Sequence, residues 1–323
     1  MRFLSSVTFV LACSTALPSF AQSLMPGDVM RLLSHSAEAV DADFTVRNQR
    51  VEGEAVLADG FKYTIRDDFG LITYTGGAFA IRPATGDYDV EIAWPERSIL
   101  RIDTREGDLE SIEFALDMSD ADYLMRLPDG ASIDADGLPS MIDYVLYAQT
   151  LAITVVDAVA AADAEQADLE LDVTLVNLTS EGTWGAQGDQ RMQGTADTVR
   201  SSFHVLAAEG ESSSQSQSND LQLGLEIAGP MFRGEAESVG AEDVLAFSYS
   251  SANSTSATML VGPDGQVAYE TSSGGSSAEF RLENGAFNTI FGAEDLAVDL
   301  MIEMLPIPDM AFGLGGMNFA LSG

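Results

Sequence analysis

The sequence predicts an all-β fold, an elongated antiparallel meander or a curved sheet or sandwich, with one short helix ahead of it. Apolar residues recur at every second position in run after run, and turn dipeptides built on glycine stand between the runs. That rhythm of strand, turn and strand is the signature of antiparallel neighbours rather than of strand–helix–strand units.

The chain opens Met1-Arg2, runs apolar from Phe3 to Cys13, and reaches Leu17-Pro18-Ser19-Phe20-Ala21. A charged start, a short apolar stretch and a small-x-small site make a secretory leader, with cleavage before Gln22. A membrane span needs about 20 apolar residues, and Pro18 ends this run early. The alternative is a lipoprotein acylated at Cys13, since Val10-Leu11-Ala12-Cys13 loosely follows that pattern. The chain has one cysteine. Cleavage after Ala21 therefore removes disulfides, thiolate catalysis and cysteine metal sites from consideration.

Past the leader, Pro26-Gly27-Asp28 precedes Val29, Leu32, Leu33, Ser36, Ala37 and Val40, an apolar stripe at helical spacing. From there the period becomes two. Ile112, Phe114 and Leu116 alternate with polar or small residues, as do Leu169, Leu171, Val173 and Leu175, then Leu221, Leu223, Leu225 and Ile227, then Leu296, Val298, Leu300 and Ile302. Strands of this kind bury one face and wet the other. Asp59-Gly60, Asp129-Gly130, Asp136-Gly137, Pro263-Asp264-Gly265 and Asn284-Gly285 are read as the turns between strands, glycine supplying the positive φ of tight hairpins. Met141 to Ala162 is read as strand, with an alanine-rich helix as the alternative, and Ala286 to Phe291 as one helical turn. Ser212 to Ser218, Ser248 to Ser256 and Thr271 to Ser277 are read as polar strands or strand ends lying side by side, a flat and solvent-facing surface whose register is weakly specified. No linker divides residues 22–323, which are read as one extended β-rich region.

Composition narrows the partners. The formal net charge is −36, and loss of Arg2 with the leader makes it one unit more negative. Nucleic acid and anionic headgroups are poor partners for such a surface. At 46% hydrophobic residues the chain still has ample apolar area for a core. The chemistry-bearing motifs are absent. His35 and His204 have no second histidine or cysteine at ligand spacing, no Gly-x-Ser-x-Gly occurs, and the lone lysine, Lys62, is not in a phosphate loop. Ser132 to Gly137 resembles the first half of a calcium loop with Asp134, Asp136 and Asp143 as acids, but Pro139 stands in its hydrophobic slot and a turn accounts for the same residues. Trp94, Trp184, Tyr88 and Tyr249 are placed on strands, packing rather than stacking on sugars. The expectation is no catalytic residue, no metal and no cofactor.

The leader, the acidic alternating strands from about Val51, the serine-rich segments, Leu305-Pro306-Ile307-Pro308 and the closing Met317-Asn318-Phe319-Ala320-Leu321-Ser322-Gly323 together resemble a family of exported alphaproteobacterial proteins defined only as a domain of unknown function. More distantly the chain resembles AsmA-like and lipopolysaccharide-transport-like proteins, whose curved sheets carry lipid. The resemblance assigns no active residue; the leader and the repeated one-face-apolar strands without a catalytic constellation point to a periplasmic, non-catalytic β-protein. Such a protein binds a hydrophobic or amphipathic envelope component, lipid among them, or scaffolds envelope assembly, and is soluble rather than membrane-spanning. Because those proteins are longer, it also leaves room for a further C-terminal part. The alternatives are a carboxylate-dependent envelope glycan hydrolase, for which no acid pair can be nominated, and an outer-membrane barrel, against which stand sparse aromatics and a terminal glycine.

A surface this acidic repels itself most in the compact state. Millimolar calcium or magnesium, or a moderate rise in salt, is expected to raise the melting temperature, and sodium at matched ionic strength to recover most of the gain. Thermal melts in the two salts check this, because a dedicated site at Asp134, Asp136 and Asp143 would saturate with calcium alone.

Overall fold

The computed structural model describes residues 23–39, 42–67, 70–105, 109–131, 138–160, 167–185, 190–207, 220–239, 242–262, 265–283, 286–302 and 310–322. The leader, Cys13, the first half of the calcium-like loop and Ser212 to Ser218 lie outside them. Helix α1 (Pro26–Ala39) starts where proline is best tolerated, in the first turn. The Asp28 carboxylate accepts a hydrogen bond from the Met25 backbone N–H at 3.0 Å, which satisfies a group the helix itself leaves unpaired.

Behind α1 the chain crosses a single antiparallel sheet thirteen times. The first four crossings are each broken in two: β1 (Ala42–Arg47) with β2 (Arg50–Glu52), β3 (Ala55–Ala58) with β4 (Gly60–Asp67), β5 (Gly70–Gly76) with β6 (Phe79–Pro83), and β7 (Val90–Ala93) with β8 (Arg97–Thr104). Then β9 (Leu109–Arg126), β10 (Met141–Ala160) and β11 (Ala167–Gly185) each run through. Four broken crossings follow: β12 (Gln190–Thr195) with β13 (Thr198–Ala207), β14 (Asp220–Ala228) with β15 (Met231–Val239), β16 (Glu242–Ser251) with β17 (Asn253–Gly262), and β18 (Gly265–Ser273) with β19 (Gly275–Glu283). β20 (Ala286–Ile302) and β21 (Met310–Ser322) complete the sheet. Every crossing pairs with the next one in sequence. Among the described residues the first and last crossings share no ladder.

The expected all-β meander and its short helix are present, and Met141 to Ala160 is strand. Three local expectations are corrected. Ala286 to Phe291 is the start of β20, not a helical turn. Trp94 and Tyr88 lie outside the strands. Asp59-Gly60 is not a hairpin turn, because it joins β3 to β4 within one crossing; the hairpin before it is at Gly53, whose φ is 64°.

That break is part of a line crossing the whole sheet. The interruptions of the crossings lie side by side, and where a strand runs through, one residue steps out of the ladder: Asp120 in β9, Gln149 in β10, Asn177 in β11, Asp295 in β20 and Gly315 in β21. The non-glycine residues with positive φ, Asn48, Asp120, Asn177 and Asp295, all stand on this line. Asparagine and aspartate visit that conformation most readily after glycine, which takes the same part at Gly229, φ 57°. Backbone bonds bridge the line, among them Gly229 N–H to the Asp197 carbonyl at 2.9 Å and Gly274 N–H to the Glu294 carbonyl at 2.9 Å. The Asn177 amide donates to the Asp197 carboxylate at 2.6 Å. The Asn48 amide and then the Arg50 guanidinium hold the Asp59 carboxyl below its ordinary range.

The line resets the phase of the side chains. In β10 the apolar face reads Ile142, Tyr144, Leu146, Ala148 and then Leu151, Ile153, Val155; in β11 it reads Leu169, Leu171, Val173, Leu175 and then Leu178, Ser180, Gly182, Trp184. An even step becomes odd, or the reverse, at one extra residue, as in a β-bulge. The apolar residues thereby stay on one side of the sheet along its full height. Replacing Asn177 by valine is expected to cost about 1–2 kcal/mol and to lower the urea midpoint, whereas Asn177→Gly is expected to stay within about 0.5 kcal/mol of the parent; equilibrium urea unfolding of both variants reads the difference.

Candidate functional site: an uncharged apolar face

The two faces of the sheet differ in chemistry because the ladder pairs like with like. On the outer face Arg97 meets Asp117 at 3.1 Å, Arg126 meets Asp143 at 2.9 Å, Arg191 meets Glu235 at 2.8 Å and Arg200 meets Glu226 at 3.2 Å, all between paired strands. Exposed pairs of this sort contribute little each. On the inner face the register rows are apolar, and among the described side chains no Asp, Glu, Lys, Arg or His stands there.

Helix α1 covers only the beginning of that inner face. Val29, Leu32 and Leu33 are fully buried against Val56 and Ala58 of β3, Ile81 of β6, Val90 and Ile92 of β7, Met125, Ile142 and Trp184, each such side chain contributing about 1.5–3 kcal/mol. Phe61 closes the core over the bulge line, its ring 5.0 Å from Trp94 and 5.8 Å from Phe79, and it lies against Gly76, where a Cβ would stand 2.2 Å from the ring. Beyond Ala196 no described helix or second sheet covers the face. Pro230 and Ser273 are the only buried side chains there among the described residues. Val199, Phe203, Leu221, Leu223, Leu225 and Ile227 are half-buried, and Leu260, Phe247 and Phe291 are 45–47% exposed. A dry sandwich would bury these residues.

Within this face runs one polar patch. Ser248 to Ser256 and Thr271 to Ser277 fall on neighbouring strands, as the sequence suggested, but their hydroxyls are not all on the wet side. On the inner face Ser251 and Ser276 lie 2.6 Å apart, Ser254 and Ser273 2.7 Å, and Ser256 and Thr271 2.7 Å. Thr258 and Tyr249 continue the patch with buried hydroxyls that have no hydrogen-bond partner. The register is specified by these paired hydroxyls, which lock the strands in step.

The residues weighed from sequence are scattered. His35 is exposed on α1, while His204 faces Glu170 at 3.4 Å on the outer face. Asp143 is held by Arg126, and Trp184 is core. Among the described residues no group of three or more His, Cys, Asp or Glu is placed to hold a metal. No described helix is long and apolar enough to cross a membrane. What sequence reading missed is that the uncovered face and the hydroxyl patch are one surface. No protein-family model, curated protein or solved structure matches the chain.

The covered end carries the chain's perturbed phenols. Burial pushes Tyr63 and Tyr144 up to about 12, and burial together with the stacked Tyr144 ring, 5.9 Å away, pushes Tyr123 higher still. Raised folded-state values keep the phenols protonated after those of the unfolded chain, near 10, have ionised. Their stabilisation is therefore complete below pH 10 and lost as pH climbs toward 12. Urea unfolding between pH 9 and 12 is expected to show that decline, with a shallower slope for Tyr63→Phe, whose lost hydroxyl has no partner in the fold.

Proposed function

We propose that the mature chain, beginning at Gln22, is an exported, non-catalytic β-protein that binds a hydrophobic or amphipathic component of the cell envelope along the inner face of its sheet. One observation carries the reading: past Ala196, among the described residues, an apolar face without charged side chains spans several strands with neither helix nor second sheet over it. Apolar surface of that extent, bordered by polar groups, marks a binding surface in soluble proteins. The charge distribution selects the ligand. Acyl or other apolar chains fit a face whose described side chains carry no charge, and the row of serine and threonine hydroxyls suits an uncharged, hydrogen-bonding head. An anionic head finds no arginine or lysine among the described inner side chains, and the outer face repels it.

The periplasm is the expected compartment, in keeping with the leader-like first residues. A purely scaffolding role is the outcome if the face takes up no ligand. Native mass spectrometry of the purified protein, followed by lipid extraction, is expected to show co-purifying lipid. Leu223→Glu with Leu225→Glu is expected to abolish it and to weaken binding of a fluorescent acyl-chain probe at least tenfold, with the thermal melt of the α1-covered core retained. Probe binding unchanged by those two carboxylates would remove the inner face from the reading.

A further inference from the structure

Among the described residues the sheet has two side edges, and they are built differently. The first, β1 and β2, carries Asp43, Arg47, Arg50 and Glu52, and α1 packs against β1; charges and covering elements are how proteins protect an edge from unwanted pairing. The last, β21, reads MAFGLGGMNFALS, thirteen residues with no charge and no proline. Among the described residues only β20 pairs with it, and no described strand lies along its other side.

Its sequence is also close to a palindrome. Met310 mirrors Leu321, Ala311 mirrors Ala320, Phe312 mirrors Phe319, Gly313 mirrors Asn318, Leu314 mirrors Met317 and Gly315 mirrors Gly316. The centre of the mirror is the bulge line. Its phase reset puts positions 310, 312 and 314 in the rows of Leu300, Val298 and Leu296, and positions 317, 319 and 321 in those of Ala293, Phe291 and Thr289. By register, both halves thus have their large apolar residues in the inner-face rows and their small or polar ones in the outer-face rows. A strand with this symmetry is complementary to itself run backwards, which is what a two-fold interface requires.

We infer that β21 is the dimerisation strand of this protein: two copies pair antiparallel along β21 about a two-fold axis between Gly315 and Gly316, with Met310 opposite Leu321 and Phe312 opposite Phe319 of the second copy. Large residues meet large ones, glycine meets glycine, and the bulge lines of the two sheets join. An axis perpendicular to the sheet leaves both inner faces on the same side, so the apolar face runs on from one copy into the other. Charge points the same way. At −36 per chain, two copies brought together through their outer faces set carboxylate against carboxylate, whereas β21 brings none.

Sedimentation equilibrium of the full chain is expected to give twice 34.3 kDa. A monomer at tens of micromolar overturns the inference, and so does a mass that rises without limit, which would mean β21 pairing onto β1 and β2 in open chains. Register is read by disulfide trapping in a Cys13→Ser background. Gly313→Cys protein mixed with Asn318→Cys protein is expected to cross-link on mild oxidation, and each variant alone is not; cross-linking of either alone to the same extent overturns the register. Ala311→Glu with Ala320→Glu places glutamate against glutamate twice across the axis and is expected to weaken the dimer at least tenfold. Ala311→Lys with Ala320→Glu places lysine against glutamate and is expected to restore it, which separates a broken interface from a misfolded chain.

Discussion

A strand can keep one face apolar only while its side-chain phase is kept, because each residue turns the next to the opposite side. Strands of up to 20 residues are too long for a twisted sheet to hold flat, and this chain relieves every crossing along the bulge line, with further register shifts near Val155 and Val159 in β10. Along that line a single extra residue bends the strand and costs the sheet its alternation. The sequence answers with a shift of apolar residues by one position at the same height in each crossing. If Asn177 or Asp120 were absent, the lower half of its strand would turn tyrosines and leucines to water and carboxylates inward. The separation of charged and uncharged faces therefore rests on a row of residues that take part in neither.

From that separation follows the uneven distribution of stability. The α1 end is an ordinary core, with aliphatic side chains from helix and sheet interlocked and aromatic rings lying over glycines in neighbouring strands. Phe61 over Gly76 is repeated farther on by Phe232 over Gly194, where a Cβ would also stand 2.2 Å from the ring. Toward β21 the described residues are held by their ladders and by cross-strand pairs. Regions with full backbone pairing but little burial open more easily than the core. Such a surface can take in a ligand without a cavity having been carved for it.

Much of this was legible in the residues. Leu169 to Leu175 and Leu221 to Ile227 gave strands directly, and Val29, Leu32 and Leu33 gave the helix. The difficult stretch was Met141 to Ala162, because a phase reset between Ala148 and Leu151 mixes spacings of two and three, and that mixture imitates a helical stripe. Asp59-Gly60 misled for a related reason: the residues that make a hairpin turn are those that make a bulge, and only the partner strand distinguishes them. The serine-rich segments were recognised as neighbouring strands, but which hydroxyls face inward depends on the register. Whether a face is covered depends on where a helix lies, and alternation is the same in both cases.

The order of crossings in the sheet is their order in the chain, and this bears on how the molecule forms and how it could change. Each hairpin needs only the one before it, so contacts are local, little loop entropy opposes them, and assembly can proceed by accretion from the helix-covered end. Nearest-neighbour architecture of this kind behaves like a one-dimensional lattice, in which units can be gained or lost at the growing end without redrawing the rest. Length in such a protein is an adjustable trait: duplicating a hairpin would lengthen the apolar face by a fixed increment, and deleting one would shorten it, with the anchoring core untouched.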